Sequence, residues 1–92
     1  MILEIITPEA TLFNGEVDVV TVPGVNGQFQ MLNNHAPIVS LLIEGEVKFK
    51  GENTTVSDVN KSSFTQNKEE YILPIKSGTV EMKDNKIIVL VD

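Results

Sequence analysis

Short runs of β-forming residues, separated by turn residues at close intervals, are the feature that most limits what this chain can fold into. The runs are apolar or alternate between polar and apolar residues, and they stand at 1–6, 11–13, 17–22, 28–31, 38–43, 46–50, 71–75, 79–83 and 86–91. Proline, glycine, asparagine and aspartate stand between them, and these residues favour turns. No segment carries the apolar stripe at helical spacing that a core-packed helix needs. The pattern predicts an all-β fold, a sandwich or a barrel, in one domain over 1–92.

Alternation along two of the runs predicts which side chains face the core. In 46–50, Val47 and Phe49 alternate with charged residues, so both are predicted to point inward. In 38–43 only Ser40 is polar. A strand with so little polar character is predicted to be covered on both faces.

Local composition also predicts the connections between strands. The Asn-Gly dipeptide at 14–15 is typical of a hairpin turn, and the Asp-Asn dipeptide at 84–85 suits a two-residue hairpin loop. The segment 54–59 is predicted as a further strand. The segment 60–70, rich in Asn, Ser, Lys and Glu, is predicted as a long hairpin tip or loop.

The stretch 22–37 concentrates turn signals between two apolar runs. It holds two of the four prolines and the only histidine, His35. Gly24 and Gly27 are predicted to bracket a tight, exposed turn, where a positive φ costs glycine little. Pro37 removes a ladder donor and is predicted to mark the beginning of the next strand.

Composition excludes several classes of function. The chain has no cysteine, so neither a disulfide nor a thiol nucleophile is possible. It has no arginine and a net charge of −6, which argues against binding nucleic acid or anionic lipid. A single histidine cannot supply a multi-histidine metal site, and no phosphate-binding glycine loop is present. We therefore predict no catalytic residue, no metal and no cofactor.

Several groups of residues occur in the order and spacing of one known family. They are Thr7-Pro8-Glu9, Phe13-Asn14-Gly15-Glu16-Val17, Val20-Thr21-Val22-Pro23-Gly24, Gly27-x-Phe29-x-Met31-Leu32-x-Asn34-His35-Ala36-Pro37, Ser77-Gly78-Thr79-Val80-Glu81-Met82 and Asn85-Lys86-Ile87-x-Val89-Leu90-x-Asp92. On these residues the chain resembles the epsilon chains of rotary F-type ATP synthases, most weakly over 51–76. The resemblance implies the N-terminal domain of that family, an antiparallel β-sandwich of two packed sheets. Family members usually continue into a C-terminal helical hairpin, whereas this sequence ends at Asp92.

The resemblance also implies two contact regions. The residues implied at the gamma chain are Thr7, His35, Ile38, Ser40 and Leu42. Those implied at the membrane c ring are Gly24, Val25, Asn26, Gly27 and Gln28. Family members often carry acids at the positions of Asn26 and Gln28, so the two amides here imply a polar contact rather than a salt bridge. Each region also has a purely structural interpretation, in which His35 bonds local backbone, the turn is a plain hairpin loop and 38–42 is core.

The function implied by the resemblance is mechanical. It is that of a non-catalytic rotor subunit that braces gamma and docks it on the c ring, within an F1Fo complex that includes alpha and beta chains. Its implied location is peripheral, on the cytoplasmic face of a bacterial plasma membrane. One alternative is a stand-alone β-sandwich that binds a ligand through exposed aromatic residues. Another is a small hydrolase or metal-dependent enzyme with buried ionisable groups around His35.

Overall fold

The computed structural model describes residues 1–52, 54–56 and 61–92, and their regular structure is almost entirely strand. The strands are β1 (Ile2–Ile6), β2 (Thr11–Glu16), β3 (Val19–Gly24), β4 (Gly27–Leu32), β5 (Ile38–Leu42), β6 (Gly45–Lys50), β7 (Thr65–Asn67), β8 (Glu70–Ile75), β9 (Gly78–Lys83) and β10 (Lys86–Val91). One turn of 3₁₀-helix, Lys61–Ser63, precedes β7. The all-β prediction is confirmed.

The strands form two layers that join at a corner. The first sheet has the order β2-β1-β10-β9-β5, and the second has the order β4-β3-β6-β8-β7. They are joined by a single pair, Gly24 of β3 with Leu42 of β5. Every strand pair in the described residues is antiparallel except β1 with β10, which is parallel. The result is the sandwich that the sequence predicted, curled so that one hydrogen-bonded path runs through both layers.

The core lies between the inner faces of the two sheets. Val47 and Phe49 are 0% and 1% exposed, which confirms their predicted inward orientation. The ring of Phe49 lies 4.5 Å from that of Phe13 and 5.5 Å from those of Phe64 and Tyr71, measured between centroids. These aromatic contacts tie β2 of the first sheet to β6 and β8 of the second, so they hold the layers together.

Two of the predicted turns behave differently. Asp84 and Asn85 have φ values of 53° and 61° and join the pair Lys83–Lys86, so the two-residue loop is confirmed. The turn predicted at 14–15 is wrong, because both residues lie inside β2 and pair with β1. The chain reverses at 7–10 instead, where the backbone N–H of Thr7 donates to the carbonyl of Ala10 at 2.8 Å. Pairing with β1 therefore overrides the local turn preference of the Asn-Gly dipeptide.

The predictions for the segment after β6 are corrected in part. Residues 54–56 are not in a strand, and the rest of the strand predicted at 54–59 lies outside the described residues. Within the predicted loop at 60–70, the described part contains the 3₁₀ turn and β7, which pairs with β8. Three exposed residues, Thr65–Asn67, form β7, so no apolar alternation marked this strand in the sequence.

Candidate interaction surfaces

The outer faces of the two sheets differ in chemistry. On the second sheet most outward residues of β4, β6 and β7 are polar, among them Gln30, Lys48 and Thr65. Leu32 at the end of β4, 52% exposed, is the apolar exception among these three strands. On the first sheet, β1, β10 and β5 each present two apolar residues outward, whereas the outward residues of β2 and β9 are polar. We call this surface the apolar face and define it by Ile2, Ile6, Val39, Leu41, Ile88 and Leu90.

Strand register places the apolar face in continuous rows. In one row Ile6 pairs with Leu90, Leu90 with Thr79, and Thr79 with Leu41. In the next row Ile88 pairs with Glu81, and Glu81 with Val39. Directly paired residues on one face have Cβ atoms roughly 4.5–5.5 Å apart, so the residues of each row are neighbours, with Thr79 or Glu81 of β9 between the apolar residues of β10 and those of β5. Val39 is 75% exposed and Leu41 64%, so β5 contributes the most accessible apolar side chains.

The orientation of β5 corrects two predictions from the sequence. Its outer face is open, so the prediction that both faces of 38–43 are covered is wrong for this chain by itself. Of the residues implied at gamma, Ile38 and Ser40 are half-buried and pair with the buried residues Met82 and Val80. Leu42 is 3% exposed and belongs to the core, so its side chain is not on the accessible surface.

The other two residues implied at gamma lie at opposite ends of the sandwich. Thr7 follows β1, and its hydroxyl and the Ala10 backbone N–H are 3.1 Å apart in the turn at 7–10. His35 lies beyond the other end, where the neighbouring Asn34 N–H donates to the Asn85 side chain at 2.7 Å. Thr7 and His35 are therefore not one cluster, but they flank the apolar face from its β1 and β5 sides.

His35 is engaged with its own loop. Its ring Nδ1 lies 2.7 Å from the carbonyl oxygen of Ala36, and its backbone N–H donates to the carbonyl of Leu32 at 3.1 Å. The preceding residue, Asn34, adopts a positive φ of 64°. These contacts agree with the interpretation of His35 as a residue that bonds local backbone and fixes the turn.

The turn between β3 and β4 consists of Val25 and Asn26. The pair Gly24–Gly27 closes it, and Gly27 has a φ of 119°, which favours glycine. Val25, Asn26, Gly27 and Gln28 are exposed, whereas Gly24 is buried. The turn predicted from the two glycines is confirmed. Four of the five residues implied at the c ring are accessible, and all four lie at the end of the sandwich where β3 and β4 meet.

The same end also carries Ile43. Its backbone N–H donates to the carbonyl of Pro23 at 3.0 Å, and its side chain is 46% exposed. Ile43 therefore continues the outward apolar residues of β5 towards the β3–β4 turn. The sequence could have indicated this from the apolar residues at 39, 41 and 43, which recur at the spacing of one strand face.

Further depressions lie elsewhere on the surface, and one of about 480 Å³ is bordered by Leu12, Leu73, Pro74, Ile75 and Val91 together with polar residues. Another, of about 450 Å³, lies beside Lys50, Glu52, Lys68 and Glu69. Within 1–52, 54–56 and 61–92, no three His, Cys, Asp or Glu residues are grouped so as to hold a metal ion. In the same part of the chain, no helix has the length and apolar character that crossing a bilayer requires.

Comparison with known proteins identifies one family. Residues 1–61 match the family model of the ATP synthase delta/epsilon chain, beta-sandwich domain. The epsilon chain of Dehalococcoides mccartyi is 34% identical over 90 residues, which are 98% of this chain and 54% of that protein. The epsilon chain of Chlorobaculum tepidum is also 34% identical, and there the match covers 86% of the relative. The chain thus spans about half the length of the first relative and most of the second.

Solved structures agree in fold. A chain of the Tetrahymena thermophila mitochondrial ATP synthase, in a structure of the central stalk and c ring, superposes with a TM-score of 0.72 at 14% identity. The match covers 98% of this chain and 61% of that one. A chain of the Euglena gracilis mitochondrial ATP synthase superposes with a TM-score of 0.74 at 17% identity, covering 99% and 49%. At these identities the likeness establishes the sandwich and nothing further.

Proposed function

Because this chain belongs to the ATP synthase delta/epsilon family through its β-sandwich domain, we propose that it is a non-catalytic subunit of the ATP synthase rotor. In this role it braces the gamma chain and docks it on the membrane c ring. Ring rotation driven by ion flow then turns the stalk as one body. Its partners are gamma, the c subunits and, through them, the F1Fo complex with its alpha and beta chains. The location that follows is the cytoplasmic face of a bacterial plasma membrane, where protein contacts hold the subunit.

The single observation that carries the proposal is the apolar face. Exposed apolar side chains gathered on one surface beside polar residues are typical of protein interaction sites. Val39 and Leu41 are among its most exposed side chains. We assign gamma to this face, with Thr7 and His35 at its margins. Ile38 and Ser40 lie under its β5 edge, and Leu42 supports the strand from the core.

The c ring contact is assigned to the β3–β4 turn. Asn26 and Gln28 present exposed amides there, which donate and accept hydrogen bonds without carrying charge. A contact of this kind is polar and insensitive to salt, unlike an ion pair between exposed charges. Val25, 56% exposed beside Asn26, adds one apolar contact to the same turn.

Reconstitution tests the proposal directly. The full chain is added to a catalytic ATP synthase complex from the same organism that has been stripped of its epsilon chain, and the mixture is separated by gel filtration. We expect co-elution at one chain per complex, which is lost when gamma is omitted. Elution of the chain alone at micromolar concentration would refute the rotor role and favour a stand-alone ligand-binding sandwich.

A further inference from the structure

The apolar face contains one carboxylate that has no partner in the free chain. Glu81 projects outward from the middle of β9, between Val39 of β5 and Ile88 of β10. The other acid in its row, Glu4, is satisfied by the Lys86 ammonium at 3.8 Å. No described residue forms an ion pair with Glu81.

A depression of about 360 Å³ lies beside Glu81. Pro37 and the outward-facing Val39 supply apolar side chains beside it, the inward-facing Ile38 and Met82 also border it, and Glu81 and Lys83 supply its charged groups. Its volume is at the small end of the roughly 300–1,000 Å³ range of small-molecule sites, so it suits a side chain better than a cofactor. It thus combines apolar residues with one carboxylate, which forms no ion pair with a described residue, and one ammonium, that of Lys83.

Covering this surface has an electrostatic consequence. A partner that packs on Val39 and Ile88 removes water from Glu81, and burying an unpaired charge is costly. A cation placed opposite removes that cost and adds a charge-assisted hydrogen bond. Arginine and lysine also bring an aliphatic stem that packs along apolar surface. The chemistry of the depression therefore matches a basic side chain set in an apolar surround.

We propose that the gamma chain inserts a lysine or arginine side chain into the depression beside Glu81, and that this ion pair fixes the register of gamma on the apolar face. The inference rests on the proposed rotor function and adds to it a reason why the apolar face binds one partner in preference to others. An apolar partner without this cation leaves Glu81 buried and unpaired. Glu81 thereby discriminates against partners that match the face only in shape.

Binding measurements on charge variants test the inference. The epsilon-depleted catalytic complex is immobilised, and the affinity of the full chain is measured by surface plasmon resonance. We expect Glu81→Gln to weaken binding about 10-fold and Glu81→Lys at least about 30-fold, the lower bound for disrupting a desolvated charge pair. Glu69→Lys, an exposed acid in the β7–β8 turn of the other sheet, is the matched control and should stay within about twofold.

A second variant separates an external cation from an internal one. Lys83 lies two residues from Glu81 on the same side of β9 and is the alternative counter-ion. If gamma supplies the cation, Lys83→Gln leaves binding unchanged or tightens it, since one repelling charge is removed. If Lys83→Gln weakens binding as much as Glu81→Gln does, the inference is overturned.

Other outcomes also decide between the proposals. Tight binding of wild type together with equal affinities for Glu81→Lys and Glu69→Lys overturns the role of Glu81 and leaves the rotor function intact. No binding of the wild-type chain overturns both. If sedimentation in the analytical ultracentrifuge shows that the wild-type chain is a dimer and Glu81→Lys a monomer, the apolar face is a self-association surface and the inference is overturned. Unchanged thermal midpoints are required of all variants, because each position is exposed.

Discussion

Leu41 and Leu42 are adjacent residues of one type that face opposite ways, so truncating each to alanine separates folding from binding. Leu42 is 3% exposed and Leu41 is 64% exposed. Leucine-to-alanine changes in a core cost roughly 2–5 kcal/mol of stability. We place Leu42→Ala at about 2–3 kcal/mol, because it lies at the end of β5, beside the sheet corner. For a domain of this size that is a fall of roughly 10–20 °C in thermal midpoint.

Leu41→Ala should show the converse behaviour. Its effect on stability is expected within about 0.5 kcal/mol, as is usual for exposed positions. If gamma covers it, the lost carbons cost about 2 kcal/mol of binding at about 0.8 kcal/mol per buried methylene, or about a 30-fold weaker affinity. Urea unfolding followed by circular dichroism gives the first quantity, and surface plasmon resonance on the epsilon-depleted complex gives the second. If Leu42→Ala is as stable as wild type, the orientation of β5 is wrong. If Leu41→Ala binds the complex with wild-type affinity, the assignment of gamma to the apolar face is wrong.

Three further predictions address the turn, the core and the corner. Replacing Asn26 and Gln28 together by alanine should leave the unfolding curve unchanged and reduce ATP-driven proton pumping in reconstituted membranes; normal pumping would contradict the c ring assignment. Phe49→Ala should lose about 3–5 kcal/mol in urea unfolding, because the ring is 1% exposed; a loss below about 1 kcal/mol would mean that the aromatic cluster does not hold the sheets. Gly24→Ala should lower the free energy of unfolding by roughly 1–3 kcal/mol in the same assay, because a Cβ there lies 2.8 Å from the Phe29 ring. Wild-type stability of this variant would show that the corner adjusts to the added methyl group without cost.

Period-two alternation accounts for what the sequence predicted well. Val47 and Phe49 were placed in the core because charged residues stand between them, and this signal needs no knowledge of neighbouring strands. The loop at 84–85 also rests on a local signal, because Asp and Asn tolerate the positive φ that both residues adopt. Where local chemistry alone decides the conformation, the sequence is sufficient.

The predictions that were wrong concern segments whose conformation or exposure depends on pairing with a strand distant in the sequence. The Asn-Gly dipeptide at 14–15 pairs with β1 inside a strand, and nothing within the dipeptide reports that pairing. For β5, an apolar strand looks the same in sequence whether its second face packs on its own chain or remains open for another. Ile88 and Leu90 carried the missing signal, because β10 has apolar residues on both faces as β5 does. Two such strands joined through β9 indicate a shared apolar surface, and recognising it requires the strand order.

The corner of the sandwich connects the two proposed interfaces by a short mechanical path. Leu42 pairs with Gly24, so the strand assigned to gamma is hydrogen-bonded to the strand that ends in the turn assigned to the c ring. The bond from the Ile43 N–H to the Pro23 carbonyl, 3.0 Å long, reinforces the same junction. Packed interiors transmit strain with little compression. Under the proposed function, load that enters at the β3–β4 turn reaches β5 directly through this residue pair and the flanking hydrogen bond, in addition to the packed core between the sheets. By this reasoning Gly24→Ala should impair coupling more than its loss of stability alone accounts for.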